Sequence, residues 1–92
     1  MDFIKLFNGV VARAKPVSAA DSNATSLDDK LADLNLDSLD NIMVSIYFGG
    51  LYGIEEEVMQ TMQCQTVGEL QEFLEANKTQ EVTSVEAALQ EL

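Results

Sequence analysis

The chain has no histidine or tryptophan, one cysteine, one proline, and five basic residues against sixteen acidic ones. Each shortage excludes a class of chemistry. Without histidine there is no Ser-His-Asp or Cys-His pair to activate a nucleophile. The lone cysteine, Cys64, can close no internal disulfide and, lacking histidine partners, can build no cysteine-based zinc site, so it reads as a small buried hydrophobe. The net charge of −11 repels phosphate backbones and anionic membranes, and it speeds encounter with any partner that shows a basic patch. Nucleic acid is therefore not an expected partner. Long apolar runs are absent too. The stretch "FIKLFNGVV" is broken by Lys5 and Asn8, and no small-residue cleavage site follows it. The expectation is no signal peptide, no membrane span and a cytoplasmic location. Two site motifs fail on inspection. "FGGLYG" lacks the Lys-Ser or Lys-Thr of a phosphate loop. The segment from Asp33 has Asp, Asn and Asp at the first, third and fifth calcium-loop positions, but Ser38 replaces the glycine and Val44 the final glutamate. With sixteen acids on a small surface, carboxylate pairs arise by chance, so no acid–base pair or metal site stands out.

What is present is a hydrophobic content of 47% in 92 residues, enough for one core, with no internal repeat. Phe3, Ile4, Leu6, Phe7, Val10, Val11 and Ala14 recur at three- and four-residue spacing, which predicts a helix over residues 3 to 14. Asp2, Arg13 and Lys15 complement its dipole, and Pro16 stops it. "PVSAADSNATS" reads as a long loop, which Leu27, Leu31, Leu34 and Leu36 pin to the core, with a short helical turn near 27 to 33. Asp37 suits an N-cap, and Leu39, Ile42, Met43 and Ile46 then continue at helical spacing until Gly49 and Gly50, where the helix is expected to fray or end. "IEEEVMQTM" suggests a short third helix. Thr66 and Glu69 have capping-box spacing, and Val67, Leu70, Phe73 and Leu74 form an apolar face running to Asn77. In the tail, Thr83 and Glu86 repeat the capping spacing before Val85, Ala88, Leu89 and Leu92, leaving two readings, an extra helix or disorder. No segment alternates as a strand. The expected fold is all-α: a small four-helix bundle with a long loop between its first two helices and a possible extra C-terminal helix, monomeric, with a domain over 1–78 and a tail over 79–92.

One serine stands in an unusual place. In "LNLDSLDNI" Ser38 directly follows a cap and opens a helix, where its hydroxyl faces solvent and the positive helix end favours a bonded anion. These residues, "DSLD" with the hydrophobic helix after it and "QTVGELQEFL" at the matching distance beyond, resemble the acyl carrier proteins over roughly residues 3 to 77. The resemblance implies that a phosphopantetheinyl transferase moves 4'-phosphopantetheine from coenzyme A onto Ser38, and that acyl groups ride on the terminal thiol as thioesters. An outside catalyst would supply the activation, so no local base is needed. The resemblance also assigns partner recognition to Asp37, Leu39, Asp40 and Met43, with Ile42 and Ile46 facing partners or the root of an acyl pocket. The implied partners are a ketosynthase, an acyltransferase or acyl-activating enzymes with basic or apolar docking patches, in fatty acid, polyketide or related lipid biosynthesis.

Departures from the family pattern point to a specialised member. Asn35 stands where the family has glycine, and Met43, Gly49 and Gly50 stand where its recognition helix carries acids. Contacts would be more apolar and less salt-sensitive, with weak exchange with general fatty-acid enzymes. For Met43 and Ile46 the alternative is core packing. Ser45 replaces a bulky aliphatic, which suggests either a pocket for a short or polar acyl chain or a serine bonded back to its own helix. Two other functions compete: a small acidic interaction module with unmodified Ser38, and an aminoacyl or peptidyl carrier. None of these readings makes the chain itself an enzyme.

Overall fold

A computed structural model of the chain describes residues 2–14, 23–34 and 36–92. Among these residues five α-helices follow in order: α1 (Phe3–Ala14), α2 (Ser38–Tyr52), α3 (Glu56–Met59), α4 (Val67–Asn77) and α5 (Val85–Gln90), with a 3-10 turn over Leu31–Leu34 before α2. Among the described residues there is no strand, only an isolated antiparallel bridge between Lys30 and Thr66. The all-α bundle expected from the periodicity is therefore the observed architecture, and the tail takes the helical of its two readings.

α1 forms where the apolar spacing placed it. Its inward residues Phe3, Leu6, Phe7, Val10 and Val11 are all buried, and Asp2 accepts from the Lys5 N–H at 3.3 Å as the helix starts. Lys15 and Pro16, expected to end it, and most of the long loop lie outside the described residues. α1 packs on α2 through an aromatic row: Phe48 lies 5.7 Å from Phe3 and 6.3 Å from Phe7, and Tyr52 continues it at 6.3 Å from Phe48. Offset ring contacts of this kind add to the area they bury.

Where the loop re-enters, the Asn8 side chain fixes it, accepting from the Ala24 N–H at 2.7 Å and donating to the Ala24 carbonyl at 2.9 Å. The next residues are tied to the start of α4. Val67 N–H donates to Asp29 O, Gly68 N–H to Leu27 O and Leu31 N–H to Gln65 O, at 2.8 to 3.0 Å. The backbone leading into α2 is thus anchored by hydrogen bonds as well as by buried Leu34 and half-buried Leu31 and Leu36, whereas Leu27, expected to help pin the loop, is exposed and contributes its carbonyl instead.

Two local expectations are corrected. α2 does not end at Gly49 and Gly50; it runs to Tyr52 and stops at Gly53, whose φ of 65° lies in the left-handed region. Gly49 is buried, and a Cβ there would meet Ile54 O and Met59 Cγ at 3.2 Å, so close packing of α3 offsets the helix propensity it lacks. At α5 the cap is Ser84, whose hydroxyl accepts from the Ala87 N–H at 3.1 Å, one residue beyond the expected Thr83. At α4 the Thr66 half of the expected capping box forms, its hydroxyl accepting from the Glu69 N–H at 3.1 Å, while the Glu69 carboxylate accepts from the Gln65 N–H at 3.2 Å instead of from Thr66.

α5 lies against α1 and α3 against α2. Val85 and Ala88 are buried, Leu89 packs over Gly9, and the Arg13 guanidinium donates to Leu89 O at 3.1 Å. The segment between α4 and α5 is bound to the end of α2: Gln80 Nε2 donates to Gly50 O and Leu51 O, and the Thr79 hydroxyl donates to Gly53 O. The radius of gyration is 11.8 Å, close to the roughly 12 Å of a folded chain this long.

Candidate functional site

The site begins with the cap of α2. Asp37 is extended, with φ −81° and ψ −179°, and its Oδ1 accepts from the Asp40 N–H at 2.8 Å. Asp40 answers through Oδ2, which accepts from the Asp37 N–H at 3.3 Å, closing a reciprocal capping box. Asp37 is the cap its residue type predicts, while Asp40 does more than add charge beside the site; the spacing of the two acids is the signal for the second half of the box. Both carboxylates flanking Ser38 are thus occupied with backbone N–H groups.

Ser38 is exposed as the first residue of α2, and among the described residues it makes no side-chain hydrogen bond. Among the described residues no base is aimed at its hydroxyl, so nothing in this surrounding makes it a nucleophile unaided. The N-terminal turn behind it carries partial positive charge, which suits an anionic substituent on the oxygen.

From this serine a strip of apolar side chains runs outward along α2. Leu39 is 66% exposed, Ile42 56% and Ile46 49%, values that reject core packing for these three. Met43 is half-buried, as is Asp40, while Asp37 is exposed. The strip exists because the opposite side of the helix, Val44, Phe48, Leu51 and Tyr52, is taken by the core. The expected left-handed backbone at Asn35 lies outside the described residues.

Beside the strip, α2 and α3 enclose an open groove of about 500 Å³, lined among others by Ile42, Ser45, Ile46, Gly50, Met59 and Met62. A second cavity, about 330 Å³, lies on the inner side of α2 among Phe7, Leu36, Val44, Phe48, Cys64 and Leu70. Ser45 lines both, and among the described residues its hydroxyl does not bond back to its own helix. Asn41 also lines both, a position marked in the sequence only by a polar residue one turn before Ser45.

Cys64 is half-buried in the second cavity's wall. Burial pushes its thiol pKa up, with Glu69 and Glu72 adding to the effect. The thiol form is therefore favoured at neutral pH, which makes it packing material rather than a nucleophile. Among the described residues no group of three or more His, Cys, Asp or Glu side chains could hold a metal ion, and no helix is long and apolar enough to cross a membrane. Comparisons with family models, curated proteins and solved structures find no match to this chain.

Proposed function

We propose that the chain is an acyl carrier, with 4'-phosphopantetheine on Ser38 and no enzymatic activity of its own. The observation that carries the reading is the exposed hydroxyl of Ser38, unbonded among the described residues, at the first residue of α2, immediately after its cap and at the head of an exposed apolar strip. The residues fit the group. The oxygen is reachable from solvent, the helix end favours a phosphodiester, and the two neighbouring acids are tied to backbone N–H groups by the capping box. When bound, the group supplies a terminal thiol that holds acyl chains as thioesters.

This chain's own residues then have three tasks. Asp37 and Asp40 fix the serine's backbone and present acid to a basic transferase or partner. Leu39, Ile42 and Ile46, with Met43 behind them, give that partner an apolar surface. The groove beside them offers shelter to whatever the arm carries. Partners of this chemistry are a phosphopantetheinyl transferase and then a ketosynthase, acyltransferase or acyl-activating enzyme in fatty acid, polyketide or related lipid synthesis.

Intact mass tests the reading. Incubated with coenzyme A and a broad phosphopantetheinyl transferase, the folded protein gains the mass of one phosphopantetheinyl group, and Ser38→Ala gains nothing. A protein that stays unmodified under those conditions favours a second reading, an acidic interaction module that uses the same apolar strip with an unmodified serine. Loading of the arm by an amino-acid-activating enzyme, rather than with an acyl group, would instead identify an aminoacyl or peptidyl carrier.

A further inference from the structure

The two cavities at α2 share a stretch of wall made of Asn41, Ser45 and Met62. Around that stretch the lining is mainly apolar, with Ile54 and Met59 on the groove side and Phe7 and Phe48 on the inner side. Ser38, Asn41 and Ser45 follow one another at three- and four-residue steps, so they lie on one row of the helix, roughly 4.5 and 10.5 Å along the axis from Ser38. Ser45 is half-buried, and its hydroxyl makes no side-chain hydrogen bond among the described residues. A polar group in such a wall loses water when an apolar ligand covers it and gains nothing in return. An oxygen on the ligand restores the bond. Ser45 can both donate and accept, and the Asn41 amide can do the same, so a hydroxyl or an oxo group is served equally. Glu56, also on the groove, makes an anionic substituent the poorer fit.

We infer that the acyl chain held against α2 bears a neutral oxygen substituent, a hydroxyl or oxo group, bonded by Ser45 and Asn41, in preference to a plain alkyl chain of the same length. The inference rests on the carrier reading of Ser38. It assigns Ser45 and Asn41 as specificity-determining residues and takes the groove as the place where the choice is made. The mixed lining supports it, since a wall meant for saturated chains alone would gain from an aliphatic residue at position 45.

The experiment loads the full chain through the transferase with hexanoyl-, 3-hydroxyhexanoyl- or 5-hydroxyhexanoyl-coenzyme A, checks each product by intact mass, and records Tm. Two oxygen positions are used because they sample different depths. At least one hydroxylated form is expected to melt above the hexanoyl form by roughly 4–8 °C, the shift that one ordinary hydrogen bond gives a domain of this size. Ser45→Ala is expected to remove most of that difference, and Ser45→Val to reverse it in favour of hexanoyl. Should Val not fold, Ala carries the comparison, because alanine suits a helix interior. Equal melting of all three loaded forms, or a difference that persists in Ser45→Ala, overturns the inference while the mass gain leaves the carrier reading standing. Absence of any mass gain on Ser38 removes both.

Discussion

Tyr52→Phe isolates one physical term in the core. Tyr52 is 1% exposed, its ring extends the aromatic row at 6.3 Å from Phe48, and its hydroxyl is buried without a hydrogen-bond partner among the described residues. An orphaned buried hydroxyl costs about 1–3 kcal/mol, whereas the void left by removing one oxygen recovers only part of that. The phenylalanine variant should therefore be more stable at pH 7 by about 1 kcal/mol, a rise in Tm of roughly 4–8 °C. Alkaline pH supplies the second half of the test. Burial, reinforced by Glu75 and opposed by Lys78, pushes the Tyr52 pKa from 10.0 up to about 12. Between those values the unfolded chain has lost the phenolic proton and the folded chain retains it, so the folded state binds more protons and stability falls as pH rises. The slope reaches at most about 1.4 kcal/mol per pH unit. Tyr52→Phe lacks this contribution, so its advantage should widen from pH 10 to pH 12, while Lys78, whose pKa Glu75 and Glu81 raise, is common to both proteins. Urea denaturation followed by circular dichroism at pH 7 and pH 11 measures both effects. A variant less stable than the parent at pH 7 would refute the reasoning, since it would mean the hydroxyl has a partner such as an internal water.

Gly53→Ala should destabilise by about 2 kcal/mol in urea titration: the left-handed φ of 65° costs about 1–2 kcal/mol for a residue with a Cβ, which would also press on Thr79 and Gln80. A loss of less than 0.5 kcal/mol, roughly the effect of an ordinary surface change, would show that the turn relaxes freely. Gly9→Val should release α5, because even a Cβ at position 9 would sit 2.6 Å from Leu89 Cδ1. Hydrogen exchange should then quicken at Ala88 and Glu91, whose N–H groups bond to Ser84 O and Ala88 O, while α2 amides stay protected. Unchanged protection in α5 would show that Leu89 simply moves aside.

Elements with a strong period and a cap were legible from residues alone. α1 and α4 carry both, and each runs where the pattern put it, because apolar residues at three- and four-residue spacing have one way to reach a common core. The end of α2 was not legible. Two adjacent glycines argue against helix by propensity, but here Gly49 faces Met59 and Ile54 and its small size lets α3 approach, a tertiary contact that no local rule contains. The tail was undecidable for a similar reason. Six residues do not hold a helix alone, and α5 exists because Gly9 leaves room on α1 for Leu89 and because Val85 and Ala88 bury there.

The candidate site divides along the same line. Ser38 and its cap are local features, so the residue types and their order locate them without a fold. The facing of α2 is not local. Nearly every position from Leu39 to Tyr52 is apolar or small, so the helix is only weakly amphipathic and its own period names no inward side. Phe3 and Phe7 decide the matter by engaging Phe48, which turns Val44, Leu51 and Tyr52 inward and leaves Leu39, Ile42 and Ile46 in solvent. The same rotation sets Asn41 and Ser45 at the boundary between core and surface, where both cavities meet. The exposed apolar strip and the polar wall are thus two consequences of one aromatic contact between α1 and α2. A sequence with a different residue at position 48 could keep its cap and its serine and still turn another face of α2 to solvent.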